Sequence, residues 1–194
     1  MAYDIWGSWS TTGVGPNAPL NDTCATIKAG SAVSAVQAWT AANFPANKIA
    51  LGVAAYGHSF YVDKTAAVDS SGNLASYPPF DNAQQPHGDS EDGNAGVDQC
   101  GAQVPIGGIF NFWGLVDGGF LDANGTAASG INYRYDNCSQ TVSFYYSAFK
   151  LGTPHSNYSP FSHMCITQPH KSWCRMTMLL PLVSHPVSIF HLTC

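Results

Sequence analysis

The amino-acid sequence predicts an α/β fold in which a strand–helix–strand unit is followed by a smaller α+β module. Two almost entirely apolar segments, residues 1–6 and 48–57, flank a segment with helical periodicity. Beyond residue 60 the pattern changes to short aromatic runs separated by clusters of turn-forming residues. A short apolar run is typical of a parallel strand covered on both faces, and a helix between two such strands makes a βαβ unit.

The first unit consists of a predicted strand, a loop, a helix and a second strand. The segment MAYDIW at residues 1–6 predicts a buried strand, and the Gly-, Pro- and Asn-rich residues 7–30 predict a loop. SAVSAVQAWTAANFP then predicts a helix, because Ser31 is a suitable N-cap and apolar side chains recur at helical spacing. Pro45 predicts its end. KIALGVAAYG, residues 48–57, predicts the second strand.

Residues 61–141 predict a small α+β module. The segments DSSGN, YPPFDNAQQPHGDSEDGN and DANGT carry turn chemistry, and short aromatic strands are expected in IGGIFNFWG and INYRYDN. Cys100 and Cys138 are placed to form a disulfide across this module. The alternative is two thiols that never meet.

Composition favours a secreted protein that handles neutral ligands such as sugars. Only 10% of residues are charged and the net charge is -5, which argues against a nucleic-acid binder. Six cysteines and Asn-x-Ser/Thr triplets favour a secretory route, where disulfides persist, although no signal peptide is visible. The triplets, which are candidate glycosylation sites, begin at Asn21, Asn124, Asn137 and Asn157.

Residues 142–194 differ in composition from the rest of the chain. All twelve acidic residues lie between Asp4 and Asp136, whereas five of the seven histidines lie after residue 141. These histidines lack the close spacings of a metal site, so we expect neither a metal nor a cofactor. Pro181 and Pro186 interrupt the apolar end of the chain, so no membrane span is expected. The sequence predicts that residues 142–194 form a disordered tail.

The order of motifs in residues 1–141 closely resembles the chitinases of glycoside hydrolase family 18, fungal type. These motifs are MAYDIWGSW, NAPL, the predicted helix, LGVAAYGHSF, and then GGIFNFWGLVDGGF and YRYDNCSQT. The resemblance implies a partial TIM (β/α)8 barrel, strands six and seven only, in residues 1–60. It also implies an inserted α+β chitinase insertion domain in residues 61–141 and a non-homologous tail in residues 142–194.

The same resemblance implies a site for chitin or chito-oligosaccharide on a monomeric protein. In this family, residues matching Tyr3 and Asp4 hold and polarise the acetamide group of N-acetylglucosamine in a substrate-assisted retaining mechanism. Met1, Tyr56 and His58 would line the same subsite, and His58 stands where many members have arginine. From the residues alone, the alternative is an Asp that ends a strand and a Tyr that belongs to the core.

Two further features bear on activity. Phe112 and Trp113 are suited either to stack on a sugar or to fill the core of the module, and we favour the core. The family's Asp-x-x-Asp-x-Asp-x-Glu string, which supplies the catalytic acid, is absent, and Glu91 in a turn-rich segment is the only glutamate. We therefore expect no hydrolysis by this chain, and its standing as an enzyme stays open.

These observations lead to the hypothesis of a fragment of a secreted chitinase. In it, Met1 is an internal methionine of the sixth strand, and the tail is retained intron or a shifted frame. A non-catalytic, lectin-like carbohydrate-binding protein is the alternative, and a gene product without function is the third possibility.

Overall fold

Five antiparallel strands form the main sheet of the protein. The computed structural model describes residues 1–147 and 163–169 of the chain. Along the chain the elements are α1 (Ala32–Ala41), a 3-10 helix (Ala46–Lys48), β1 (Tyr56–Tyr61), α2 (Lys64–Ala67), β2 (Gly96–Val97), β3 (Gln103–Val104), β4 (Ile109–Asn111), α3 (Phe112–Asp117), β5 (Asn132–Asp136), β6 (Thr141–Ser147) and β7 (His163–Pro169).

The strand order of the main sheet is β4-β1-β7-β6-β5. β1 lies between β4 and β7, with His58 opposite Ile109 on one side and Thr167 on the other. β2 and β3 form a separate two-stranded sheet. All strand pairs in the part of the chain that the structure describes are antiparallel.

The predicted helix is confirmed, and its start lies where the capping signal places it. Ser31 has extended backbone, and its Oγ accepts the Ser34 N–H at 3.1 Å while the Ser34 hydroxyl accepts the Ser31 N–H at 2.8 Å. This reciprocal pair is a capping box, which satisfies backbone donors that the first helical turn leaves without partners. α1 ends at Ala41, before Pro45.

The predicted strand at residues 1–6 is wrong. Asp4 has a φ of 57°, in the left-handed region, which interrupts extended backbone. The Ile5 N–H donates to the carbonyl of Asn17 at 3.0 Å, so the chain pairs with the following loop rather than with a parallel strand. The Ala2 N–H still donates to the Gly52 carbonyl at 3.3 Å, so the two segments expected to pair are neighbours without forming a ladder.

The second predicted strand is shifted towards the C-terminus. β1 covers Tyr56–Tyr61 and overlaps the predicted residues 48–57 only at its first two positions. Leu51 and Val53 instead pack, partly buried, against Ala2 and Ala32 in a small apolar cluster. An apolar run signals burial, and burial does not require a hydrogen-bonded ladder. Correspondence of these segments to barrel strands six and seven stays a prediction.

The main sheet carries apolar side chains on both faces. One cluster contains Phe110, Leu115 and Phe120 together with Val142 and Phe144 from β6. The other contains Phe60 and Val62 together with Tyr145 from β6. Successive side chains of a strand point to opposite faces, which is why neighbouring residues of β6 enter different clusters.

The expectation that residues 142–194 form a disordered tail is wrong for the segments that form β6 and β7. Val142 and Phe144 are 3% and 1% exposed. β7 pairs with β6 from Ser147↔His163 to Thr141↔Pro169 and thereby joins β6 to β1. In TVSFYYS, Val142 and Phe144 alternate with Thr141 and Ser143, a period of two that is typical of a strand and that the composition of the remaining tail obscured. The rest of the predicted tail lies outside the described residues.

The predicted disulfide between Cys100 and Cys138 is also wrong. Cys138 is bonded to Cys24, with the two Cα atoms 5.8 Å apart. Cys138 lies in the turn between β5 and β6. In the same turn, the Ser139 carbonyl accepts a hydrogen bond from the Leu20 N–H at 2.8 Å, so the first loop contacts this turn. Cys100 lies in an exposed turn and is a free thiol. The disulfide thus joins the first loop to the sheet.

Within residues 61–141, the strand expected in INYRYDN is confirmed as β5, whereas IGGIFNFWG is divided. Its first part forms β4, and Phe112 begins α3. The description of residues 61–141 as a separate insertion domain stays a prediction. No helix among the described residues is long and apolar enough to cross a membrane.

Candidate functional site

Asp4 is the centre of a polar cluster at the end of the N-terminal segment. Its Oδ1 accepts a hydrogen bond from the Tyr56 hydroxyl at 2.6 Å and contacts His58 Nε2 at 3.0 Å. An ionised carboxylate only accepts hydrogen bonds, so the tautomer of His58 that fits this contact is the one with its hydrogen on Nε2. The Asp4 side chain is 48% exposed and that of His58 is 6% exposed. The carboxylate therefore faces solvent while its histidine partner is covered.

The two oxygens of the Asp4 carboxylate have different surroundings. Within the described part of the chain, the side-chain hydrogen bonds of Asp4 all end on Oδ1. Oδ2 can therefore accept a hydrogen bond from a bound molecule while Oδ1 stays fixed by Tyr56 and His58. Hydrogen bonds to an ionised group are about twice as strong as neutral ones, so this oxygen favours an N–H or O–H donor.

β1 supplies both partners of Asp4. Tyr56 and His58 are two residues apart, so their side chains lie on the same face of the strand. Burial, the hydrogen bond to Asp4 and the negative charge of Asp4 together raise the pKa of the Tyr56 phenol above its ordinary value. The phenol therefore stays protonated and donates to Asp4 throughout the physiological pH range.

Aromatic rings surround this cluster. The Tyr3 and Tyr56 rings meet edge to face with centroids 6.0 Å apart. The Trp9 ring meets His58 in the same way at 5.3 Å, yet Trp9 is 57% exposed. A Cβ at Gly7 would lie 2.2 Å from the Trp9 ring, so the absence of a side chain there lets the indole fold back towards His58. An exposed indole thus lies beside His58, which contacts the Asp4 carboxylate.

A buried amide lies beneath the cluster. Asn17 is fully buried, and its Oδ1 accepts the Asp4 N–H at 3.0 Å. Its Nδ2 donates to the Tyr56 carbonyl at 2.8 Å. The Asn17 side chain thereby joins the main chains of two residues that lie 52 positions apart and meet through their side chains.

The structure brings together four of the five residues that the sequence analysis proposed. Tyr3, Asp4, Tyr56 and His58 form the cluster, whereas Met1 is 90% exposed and lies beside Gly52. The alternative that Tyr3 and Asp4 are only a core residue and a strand end does not describe this arrangement. Their roles towards a ligand stay predictions.

Two residues of the cluster were not selected from the sequence. Trp9 belongs to the quoted segment MAYDIWGSW and Asn17 to NAPL, so both lie inside motifs that carried the resemblance. The sequence does not reveal the contacts of either residue. Trp9 contacts His58 and Asn17 contacts Tyr56, and each pair is some forty to fifty residues apart along the chain.

The remaining candidates lie elsewhere. Glu91 is exposed in the turn after β1 and α2, where its N–H donates to Asp89 Oδ1 at 3.0 Å. Phe112 packs against the apolar cluster around Phe110, as expected, but Trp113 is 42% exposed, so the expectation of a core role is wrong for Trp113.

The candidate glycosylation sites differ in exposure. Asn124 and Asn137 are exposed, whereas Asn21 is half-buried and its Oδ1 accepts the Thr23 N–H at 3.1 Å. Asn157 lies outside the described residues. Within residues 1–145, where side chains are described, no three His, Cys, Asp or Glu side chains converge as ligands for a metal ion.

Comparison with known proteins gives the family. The model of the glycosyl hydrolases family 18 matches residues 1–152. A chitinase-like effector from Moniliophthora roreri is 55% identical over 149 residues, which are 75% of this chain and 36% of that protein. A second chitinase-like effector, from Moniliophthora perniciosa, is 53% identical over 148 residues, 75% of this chain and 33% of that protein. The chain therefore spans about a third of the length of these relatives.

Comparison with solved structures agrees with the family match. A chitinase from Rhizomucor miehei is similar with a TM-score of 0.63 and 27% identity, over 87% of this chain and 40% of that one. A mutant family 18 chitinase from Cycas revoluta, crystallised with (GlcNAc)4, has a TM-score of 0.55 and 17% identity, over 91% of this chain and 36% of that one. The second likeness concerns the fold alone. The family match extends past the boundary expected at Thr141, as the packing of β6 does. The chain belongs to the glycosyl hydrolases family 18.

Proposed function

We propose that the chain binds chito-oligosaccharide, with the acetamide of one N-acetylglucosamine unit held at Asp4. The observation that carries the proposal is the asymmetry of the Asp4 carboxylate, whose Oδ1 is fixed by Tyr56 and His58 while the half-exposed side chain leaves Oδ2 for a ligand. An acetamide presents an N–H donor, which a carboxylate oxygen binds by a charge-assisted hydrogen bond. The (GlcNAc)4 complex of the Cycas revoluta chitinase supports this ligand class.

Exposed aromatic surface beside the carboxylate supports a sugar ligand. The C–H faces of a pyranose ring are apolar, and an aromatic ring covers such a face with little loss of side-chain entropy. Trp9 is 57% exposed and contacts His58, which itself contacts Asp4. We propose that Trp9 stacks on the sugar next to the one whose acetamide Asp4 binds. Tyr3 and Tyr56 line the acetamide pocket.

Binding without hydrolysis is the form of the activity that we propose for this chain. General-acid catalysis is typically worth about 10²–10⁴ in rate, and the acid must reach the glycosidic oxygen. Glu91, the sole glutamate of the sequence, lies on an exposed turn rather than in the cluster around Asp4. The two relatives from Moniliophthora are chitinase-like effectors, a description that agrees with a binding role. Hydrolysis is a property that we propose only for longer members of the family.

Secretion forms part of the proposal. The disulfide between Cys24 and Cys138 persists in an oxidising compartment, and chitin is an extracellular polymer. We propose that the chain acts as a monomer outside the cell.

Isothermal titration of the purified chain with (GlcNAc)4 tests the binding role. Replacing Asp4 by Asn should weaken binding about 10- to 100-fold, because a hydrogen bond to a charged group contributes about 1.5–3 kcal/mol. Asp117→Asn is the matched control, since Asp117 is an exposed carboxylate at the end of α3, outside the cluster. Equal affinity of the Asp4→Asn variant and the parent would refute the proposed site.

Release of reducing ends from the same saccharide tests the absence of hydrolysis. We expect no turnover by the parent chain under conditions where it binds. Turnover that Asp4→Asn abolishes and Glu91→Gln leaves intact would show that Asp4 belongs to an active catalytic site, and the non-hydrolytic proposal would be wrong.

A further inference from the structure

We propose that Asn17 is the positioning residue of the saccharide site, setting the distance between Asp4 and Tyr56 without touching the ligand. The inference rests on the proposed saccharide-binding function. Asn17 is fully buried, so it has no surface on which a ligand could lie. Its amide instead accepts the Asp4 N–H through Oδ1 and donates to the Tyr56 carbonyl through Nδ2.

These contacts close a ring of interactions. The ring runs from the Asn17 amide to the Asp4 main chain, through the Asp4 carboxylate to the Tyr56 hydroxyl, and back through the Tyr56 carbonyl to Asn17. Asp4 and Tyr56 are thus each held at both the main chain and the side chain. Such doubly held side chains retain their geometry, which binding sites need within about 0.5 Å.

The backbone of Asp4 shows why its position must be fixed by surrounding residues. We call the hydrogen bonds of Asn17 with Asp4, Ile5 and Tyr56 the clamp. Its φ of 57° lies in the left-handed region, which residues other than glycine seldom adopt. A conformation of this kind persists only when the surrounding structure determines it. The Asn17 carbonyl accepts the Ile5 N–H at 3.0 Å, and Oδ1 accepts the N–H of Asp4 itself, so Asn17 holds both peptide N–H groups around the strained position.

Asn17→Asp tests the clamp with a change of one atom. The ionised carboxylate still accepts the Asp4 N–H, but it cannot donate to the Tyr56 carbonyl. When protonated, the same side chain regains the donor and reproduces the hydrogen bonds of asparagine. Burial disfavours the charged form, so the carboxyl introduced at position 17 should take up a proton well above the ordinary carboxyl pKa of about 3.9.

The expected result is a pH-dependent defect. At pH 8 the Asn17→Asp variant should bind (GlcNAc)4 about 5- to 50-fold more weakly than the parent, and the ratio of the two affinities should approach one as the pH falls to 5. Among the described residues, the amide bonds to the main chains of two titratable residues, Asp4 and Tyr56, which in turn contact His58 and Tyr3. They are shared by both proteins, so the ratio removes their contribution. A ratio that is constant with pH would overturn the proposal.

A spectroscopic measurement separates positioning from a loss of stability. The ¹⁵N shift of His58 Nε2 reports its hydrogen bond to Asp4, and it should change in ligand-free Asn17→Asp at pH 8. Val142→Ala, which truncates a buried side chain in the cluster around Phe110, is a control that should lower stability while leaving that shift and the affinity unchanged. An unaltered His58 shift in a folded Asn17→Asp variant would contradict the clamp.

The parent chain supplies a test that needs no variant. The side-chain amide signals of Asn17 should shift on saturation with (GlcNAc)4, because the ligand contacts Asp4 and the clamp transmits the change. Unchanged amide signals at saturation would overturn the positioning role. Failure of the parent to bind the saccharide would instead overturn the proposed function, while the ligand-free His58 measurement would still decide whether Asn17 fixes Asp4.

Discussion

Replacing Cys24 and Cys138 together by serine should destabilise the chain relative to the oxidised parent. The two cysteines are 114 residues apart, so their bond closes a very long loop in the unfolded state. The chain-entropy relation for a loop of this length gives about 5 kcal/mol at 25 °C, near the upper end of the roughly 2–5 kcal/mol measured for removal of native disulfides. We expect a loss of about 3–5 kcal/mol in the free energy of unfolding.

Urea unfolding under non-reducing conditions measures this loss, and Cys100→Ser is the matched control. Cys100 is an exposed free thiol, so its replacement should change the free energy of unfolding by less than about 0.5 kcal/mol. The double replacement also removes both bonded cysteines at once, which prevents Cys138 from forming a new bond with Cys100. The linear dependence on urea then gives the two free energies directly.

The outcome discriminates between the two pairings considered for Cys138. A stable Cys24/Cys138 double variant, within about 0.5 kcal/mol of the parent, would refute the loop-closure argument. A large loss in Cys100→Ser, together with a peptide map linking Cys100 to Cys138, would show that the bond lies within residues 61–141 after all.

Three further predictions concern stability and pH. Phe144→Ala should cost about 3–5 kcal/mol in urea unfolding, because the ring is 1% exposed in the core; a loss below 1 kcal/mol would mean that β6 does not pack as described. Ser31→Ala should cost about 0.5–2 kcal/mol, since it removes the cap of α1 and the 2.8 Å hydrogen bond to Asp22; an unchanged thermal midpoint would contradict that role. The raised pKa of Tyr56 stabilises the fold fully below about pH 10, the ordinary tyrosine value, and this stability is lost as the pH rises through the folded-state pKa. Tyr56→Phe should therefore lose less stability than the parent between pH 10 and 12, and identical slopes would refute the shift.

Local signals in the sequence determined the start of the helix and four residues of the cluster around Asp4. Ser31 followed by apolar residues at helical spacing predicted the start of α1, because a helix cap needs only side chains and peptide groups within one turn. The motifs around Asp4 and Tyr56 identified Tyr3, Asp4, Tyr56 and His58 together. Each motif is recognised from the order of its residue types. A resemblance therefore identifies these residues, although it gives no distance between them in space.

The chain order of apolar segments was a poorer guide to strands. Residues 1–6 and 48–57 are buried in part, yet neither forms the strand expected of it, because burial of an apolar run is compatible with irregular backbone that pairs locally. β6, by contrast, is a strand that the sequence analysis did not predict. Its alternation of Val142 and Phe144 is clear, but the composition of the following residues dominated the interpretation.

Tertiary structure alone decided which distant residues meet. The bond from Cys138 to Cys24, the contacts of Asp4 with Tyr56 and His58, and the amide of Asn17 all depend on separations of 13 to 114 residues. Loop-closure entropy grows slowly with length, so no spacing in the sequence distinguishes one such partner from another. The packed core selects among them, because burial of the apolar side chains of β1 and β6 fixes where the connecting loops lie.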